Sequence, residues 1–388
     1  MLRLFSTVLK QLNNLVIVVD REGEVSYVGP SVERMLGYKP HELLGNKWWL
    51  KTCTNIADPE QRKQEIRHFF TLAAKGAYPV STVEYKLNSA VGDARWFLWN
   101  CSAGPDNTLI QIGYDITERK RKEQEILDKN KELFNRNKEI FDSLEYARNI
   151  QQAILPSALR LKGNFAGAFA MYQPKDVVSG DFYWAHTSED VSYIAVADCT
   201  GHGVPGALMT MTANALLKEI IVKRSIMEPA RVLGSIDAEL EQVIHVQGNN
   251  VKANDGMDIA LVKYNRKAGI ISFAGAFRPL LHIRKGQLAE YPGSRFPIGF
   301  YHYVAKRFEE HEIKVEKGDM IYLFSDGYID QFGGMEGKKF NKKNFKELLL
   351  SMHDMDMPEQ KAFLEYSLLN WRQKEPQTDD ILVAGFKV

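Results

Sequence analysis

Apolar and polar positions fall into three successive patterns along the chain. From Leu15 to Thr117 short β-rich runs alternate with turns. Leu15 to Asp20 is a β-branched run, Arg21-Glu22-Gly23 is a turn and Glu24 to Val28 resumes the strand, which predicts a hairpin. A helical stretch follows around Ser31 to Leu36. Ser81 to Leu87, Ala94 to Ala103 and Thr108 to Tyr114 then read as strands, separated by Gly92-Asp93 and Gly104-Pro105-Asp106-Asn107. The expectation is a small antiparallel sheet with helices on one side.

From Glu118 to about Leu155 there is no Gly or Pro and charges of both signs alternate, which predicts one long helix. Ile126, Leu133, Ile140, Ala147 and Ile154 recur as d positions of a heptad, with Asn130, Asn137, Leu144 and Gln151 at a. Polar a residues specify register at a cost in stability, so a marginal parallel dimer is expected. The alternative is a single solvated helix packed on its neighbour. Pro156 ends the helix.

Beyond it, strands are expected at Ala168–Gln173, Asp181–Ala185, Tyr193–Asp198, Ile259–Tyr264, Gly269–Ala274, Leu280–Arg284, Arg307–Ile313, Met320–Ser325 and Ile381–Phe386. Helices are expected at Pro205–Lys223, Glu228–Val246, Lys342–Leu350 and Pro358–Gln373. Strands grouped in this way indicate an α+β sandwich more than a doubly wound parallel sheet.

Composition narrows the function classes. The 388 residues include 50 Lys plus Arg against 49 Asp plus Glu, a formal charge of +1. Without a basic excess, nucleic acid is not the default partner. At about 150 residues per domain the length allows two or three domains. The three scattered cysteines, Cys53, Cys101 and Cys199, argue against a disulfide framework and for a reducing compartment. The longest apolar runs fall far short of a spanning helix, and Arg3, Lys10 and Gln11 interrupt any leader-like start. A cytoplasmic protein that is not bound to a membrane is expected.

Several aspartates stand where a strand runs out. Asp198 closes Ile194-Ala195-Val196-Ala197 and precedes Cys199-Thr200-Gly201-His202-Gly203; Asp326 closes Ile321 to Ser325 and precedes Gly327. Asp379 and Asp380 precede the last strand, and Asp181 follows Gly180. Carboxylates crowded together repel unless cations lie between them, and hard divalent ions take oxygen ligands. Cys199 is followed six positions later by Pro205, not by the Arg of a cysteine phosphatase. Cys199 with His202 has zinc-pair spacing, but no second pair follows. Asp258, after Gly256-Met257, suits a site or a structural role equally.

Two resemblances organise these readings. "VIVVDREGEVSYVGPSVERMLGYKPHELLGN" and "GYDITERKRKEQEI" resemble a PAS domain. The flavin-binding Asn-Cys-Arg motif is absent, since Asn100-Cys101-Ser102 reads as strand packing, and His68 reads as a surface or satisfied histidine. The ligand of that domain is left open. "ARNIQQAILP", "VSGDFYW", "VADCTGHGVPGALMTM", "LFSDGYID" and "TDDILVAGF" resemble the PPM-type, protein phosphatase 2C-like Ser/Thr phosphatases of the bacterial SpoIIE/RsbU branch.

The resemblance implies a PAS fold, a coiled-coil helix and a C-terminal α-β-β-α sandwich, at residues 1–117, 118–156 and 157–388. It implies two Mn2+ or Mg2+ ions, with Asp198 bridging both, the Cys199 backbone carbonyl adjoining, Asp181 completing one ion, and Asp326 and Asp379 the other. A metal-activated water would attack phosphoserine or phosphothreonine, with a STAS-type anti-anti-sigma protein as substrate and partner. Asp380 is expected to support a ligand or cap a loop, with a ligand role as the alternative. Arg278 is a candidate phosphate contact, because Ala276-Phe277 replaces the usual His or Asn of that turn. His202 either acts near the leaving group or shapes its loop. The rival from another class is a catalytically silent scaffold that binds a partner through the sandwich and dimerises through the helix.

Overall fold

Strand boundaries follow the apolar runs closely in the structure, a computed structural model that describes residues 13–53, 59–74, 82–244, 255–299 and 306–388. Ser81, Val246, and the interrupting residues Arg3, Lys10 and Gln11 lie outside the described residues. The chain divides into two compact units, Met1–Asn137 and Lys138–Val388.

In the first unit β1 (Asn14–Val19), β2 (Val25–Val28), β3 (Thr82–Asn88), β4 (Ala94–Ala103) and β5 (Leu109–Asp115) form an antiparallel sheet in the order β2-β1-β5-β4-β3. Asp20 shapes the first hairpin: its Oδ1 accepts from the N–H groups of Glu22 and Glu24, while Gly23 takes φ of 86°. Leu15, Ile17 and Val19 point to one face, as the strand period requires. They pack there with Trp48, Trp49, Phe97 and Trp99, all buried. His68 is exposed on the helix Pro59–Ala74.

The helix Thr117–Ile154 spans 38 residues and is exposed along most of its length. Pairs such as Glu118–Lys122, Glu125–Lys129 and Glu132–Arg136 line its surface at (i, i+4) spacing, where solvent screens each of them. A helix without a packed face draws on such pairs and on the absence of Gly and Pro. Ile126, Leu127, Leu133, Phe134, Ile140 and Phe141 stand more than half exposed in two adjacent columns. Gln151 departs from its expected seam position. It is 3% exposed, and its amide is held inside the second unit.

That unit is built of four layers. β7 (Asp181–Ser188), β8 (Val191–Cys199), β9 (Met257–Asn265), β10 (Ile270–Ala276) and β13 (His311–Lys314) form one antiparallel sheet, ordered β13-β10-β9-β8-β7. The other contains β6 (Gly167–Gln173), β11 (Leu280–Arg284), β12 (Gln287–Tyr291), β14 (Met320–Phe324) and β17 (Ile381–Lys387), ordered β12-β11-β14-β17-β6. A two-stranded hairpin, β15 (Phe332–Gly333) with β16 (Lys338–Lys339), stands apart.

The continuous apolar runs follow from this layering, because the central strands are covered on both faces. Ile194 and Val196 face the other sheet, whereas Ala195 and Ala197 face the helices Val204–Leu217 and Pro229–Ile244. Ile321 and Leu323 likewise point into the sandwich, while Tyr322 and Phe324 pack on the helices Lys342–Met352 and Met357–Arg372. At about 1.5–3 kcal/mol for each large buried side chain, this core fixes the strand ends.

Two expectations are corrected. Within the run Arg307–Ile313 strand begins only at His311 and continues to Lys314, since the residues before it are held elsewhere: Glu309 donates its N–H to Ser294 Oγ, and the Glu310 carboxylate accepts from the Ala230 N–H in the first turn of the helix Pro229–Ile244. β12, reading Gln287-Leu-Ala-Glu-Tyr, was not expected, because an edge strand carries little apolar pattern.

Candidate active site

Strand register brings the first carboxylates together. Asp181 at the start of β7 faces Asp198 near the end of β8, which faces Asp258 of β9. The second sheet contributes Asp326 just past β14, with Asp379 and Asp380 just before β17. Asp198, Asp258, Arg278, Asp326, Asp379 and His202 line a cleft of about 510 Å3. Asp181 does not line it; buried, it accepts a hydrogen bond from Ser325 Oγ at 2.6 Å.

Arg278 lies among these acids. Its Nη2 is 2.7 Å from Asp198 Oδ2, 2.8 Å from Asp326 Oδ2 and 3.1 Å from Asp258 Oδ2. The turn that carries it is tight. Phe277 has φ of 55°, and a Cβ on Gly275 or Gly293 would lie 2.2 or 2.7 Å from the Arg278 carbonyl oxygen. Glycine at both places lets that backbone come close.

The electrostatics follow from burial. Desolvation raises the Asp198 carboxyl above the ordinary range; Arg278 opposes this and Asp326, Asp258 and Asp379 add to it. Asp258 is pushed up to about 6, again by burial first. Asp181 is raised by burial and by Asp198, and Asp379 mainly by burial. Burial works against the charge of Arg278, but Asp198, Asp326 and Asp258 overcome it and raise its pKa.

Among the described residues no three His, Cys, Asp or Glu side chains are gathered around one point as metal ligands. The carboxylates instead surround the guanidinium. Nevertheless the donor set fits a hard divalent cation, because five acids, Asp198, Asp258, Asp326, Asp379 and Asp380, line the cleft against a guanidinium that bridges three of them.

The remaining residues have legible roles. Asp380 accepts the backbone N–H groups of Lys175 and Gly180, one on each carboxylate oxygen, both at 2.7 Å, and so clamps the loop before Asp181. Cys199 lines the cleft but its side chain is buried, and burial raises its thiol pKa, which removes it as a nucleophile. His202 is exposed and its Nδ1 is 2.6 Å from Asp176 Oδ2.

Gln151 donates from Nε2 to the Ser179 carbonyl and accepts from the Ser179 N–H, at 2.6 and 3.1 Å. Ser179 Oγ in turn accepts from the Asp181 N–H at 3.0 Å. The end of the long helix is thereby joined to the strand start that carries Asp181. The sequence placed Gln151 at a seam position of the helix and Ser325 at a strand end, with nothing to mark either as a partner of the site.

Comparison with known proteins bears on the two folds. The pattern described as Stage II sporulation protein E (SpoIIE) matches residues 188–388, and a PAS fold matches residues 9–121. "Phosphoserine phosphatase RsbU" of Bacillus subtilis (strain 168) is 29% identical over 193 residues, 48% of this chain. The chain spans about half of that relative, 53% of its length. The solved "SiaA-PP2C domain of Pseudomonas aeruginosa" is 34% identical, with a TM-score of 0.58, over 65% of this chain and 98% of that one. No helix among the described residues is long and apolar enough to cross a membrane. With its match over the C-terminal half and a PAS fold ahead of it, the chain belongs to the SpoIIE family of PP2C-like proteins.

Proposed function

We propose that the protein is a metal-dependent protein Ser/Thr phosphatase regulated by its PAS domain. The observation that carries the reading is the meeting of Asp198 and Asp258 from one sheet with Asp326 and Asp379 from the other, in one open cleft with a buried arginine. Asp198, Asp326 and Asp379 would hold two Mn2+ or Mg2+ ions, with Asp181 and the Cys199 carbonyl completing the set. Such ions supply an activated water and offset phosphoryl charge. Arg278, drawn off the acids, orients a phosphoryl oxygen by a charge-assisted hydrogen bond. Ser325 and Asp380 keep Asp181 and its loop in place.

Full-length protein with Mn2+ is expected to release phosphate from a phosphoserine peptide, to stop in chelator, and to be disabled by Asp326→Asn. Activity that persists in chelator, or an unimpaired Asp326→Asn variant, overturns the metal-dependent reading. The relative's description as a phosphoserine phosphatase supports a substrate that carries phosphoserine, and a small STAS-type phosphoprotein is the partner to test first.

We further propose residues 1–117, 118–156 and 157–388 as sensor, dimerising helix and catalytic domain. The two exposed apolar columns at Ile126/Leu127, Leu133/Phe134 and Ile140/Phe141 support a paired helix. The Gln151–Ser179 hydrogen bonds would pass its movement to Asp181. Light scattering should give the mass of two chains, and Ile140→Asp, at an exposed site, should give one. A mass of two chains for that variant places the interface elsewhere.

A further inference from the structure

The Arg278 guanidinium presents an imbalance of donors and acceptors. Nη2 carries two N–H groups but meets three carboxylates. Asp198 and Asp326 each accept a hydrogen bond, at 2.7 and 2.8 Å, whereas Asp258 at 3.1 Å has only the ion pair. Nε, buried in the same group, has no hydrogen-bond partner among the described residues. The guanidinium thus has unspent donors, and an acid beside it lacks one.

The backbone below cannot move far to change this. Phe277 is in the left-handed region, and Gly275 and Gly293 leave no space around the Arg278 carbonyl. Any rearrangement of the guanidinium is therefore a side-chain rotation within reach of its present partners. Asp258 faces Asp198 directly across β8 and β9, so a short rotation suffices to exchange one for the other.

We infer that Arg278 competes with a divalent cation for Asp198 and Asp326, and that Asp258 is the seat to which the guanidinium moves when the cation takes those two acids. The inference rests on the metal-dependent reading above and adds a purpose for Asp258. As the side chains stand, Arg278 offsets the repulsion between Asp198 and Asp326. When those oxygens turn to a cation, the two N–H groups of Nη2 are released. One is then held by Asp258 and the other is available to a phosphoryl oxygen. Asp258 acts as a positioning residue, through Arg278 and not as a metal ligand.

The test is calorimetric titration of the full-length protein with Mn2+ in the absence of substrate. Arg278→Met is expected to tighten Mn2+ binding about tenfold, by removing the competitor. Arg278→Gln, of similar length and neutral, should act in the same direction and serves if the Met variant does not fold. Asp258→Asn is expected to weaken binding about tenfold while Arg278 is present, and less than threefold in the Arg278→Met background. Unchanged or weaker binding by both Arg278 variants overturns the competition. An equal loss from Asp258→Asn in both backgrounds makes Asp258 a ligand and overturns its role as a seat. If the unaltered chain binds no Mn2+, the metal-dependent reading itself fails, and this is read without any variant.

Discussion

Asp198→Asn is expected to lower kcat/KM on a phosphoserine peptide by about 10^3-fold or more, a loss of about 4 kcal/mol of transition-state stabilisation. Asp198 stands between Asp181 and Asp258 in the strand register and bonds Arg278, so an amide there removes the acid shared by both sides of the cleft. The same substitution should leave the protein no less stable in chelator. Burial holds the Asp198 carboxyl above its ordinary pKa despite Arg278, which means that its charge is unfavourable in the fold.

The sign carries through to pH. Asp258, pushed up to about 6 when folded from an ordinary value of 3.8, binds more protons folded than unfolded between those values. Its contribution is therefore lost as pH rises through that window, and Asp198 and Asp181 act in the same direction. In chelator the unfolding temperature of the phosphatase domain should fall as pH is raised from about 4 through about 6 on account of this cluster. Mn2+ added above that range should restore it, because a ligand that binds only the folded state stabilises it by mass action. Asp198→Asn should flatten the pH profile and blunt the response to Mn2+. An unfolding temperature in chelator that climbs steadily from pH 4 to 8 contradicts this electrostatic account.

Gly327→Ala is expected to be the most damaging of the single-methyl changes around the site. A Cβ at Gly327 would lie 1.9 Å from the Asp380 carbonyl oxygen, 2.8 Å from its carbonyl carbon and 3.1 Å from Ile381 Cγ1. The first two are backbone atoms at the entry to a fully buried strand, so the clash cannot be relieved by turning a side chain. Overpacking of this kind costs about 3 kcal/mol. The displacement falls between Asp326 and the Asp379-Asp380 pair, so activity should be lost together with stability. Gly234→Ala is the contrast, because a Cβ there meets nothing within 4 Å and the helix Pro229–Ile244 gains about 1 kcal/mol from alanine. Urea unfolding of the two variants measures the difference. A Gly327→Ala variant as stable as Gly234→Ala would mean that the strand end yields more easily than its packing indicates.

Much of this molecule was legible in the order of its residues. Runs such as Ile194 to Ala197, Ile321 to Ser325 and Ile381 to Phe386 could be read as strands covered on both faces, because apolar continuity over a few residues has few other structural outcomes. Aspartate after the first two runs and before the third marked where the chain leaves or enters the core. The edge strand Gln287–Tyr291 escaped notice because a half-exposed edge needs no apolar repeat, and Arg307–Glu310 misled because Glu309 and Glu310 bond Ser294 and the first turn of a helix and not a neighbouring strand. Gln151 was assigned to a helix seam by its heptad position, since a period of seven cannot show which neighbour takes a polar group.

By itself, then, the sequence determined the two folds, the long charged helix between them and the strand ends where aspartates stand. It could do so because strand and helix periods and turn chemistry are local properties of the chain. Only the tertiary structure decided that Asp258 would face Asp198, that Arg278 would bridge Asp198 and Asp326, and that Gln151 would bind Ser179. These partners are 28 to 80 residues apart, and what joins them is strand register and the closure of one sheet on another. No local pattern encodes that register, because it is set by how the whole core packs.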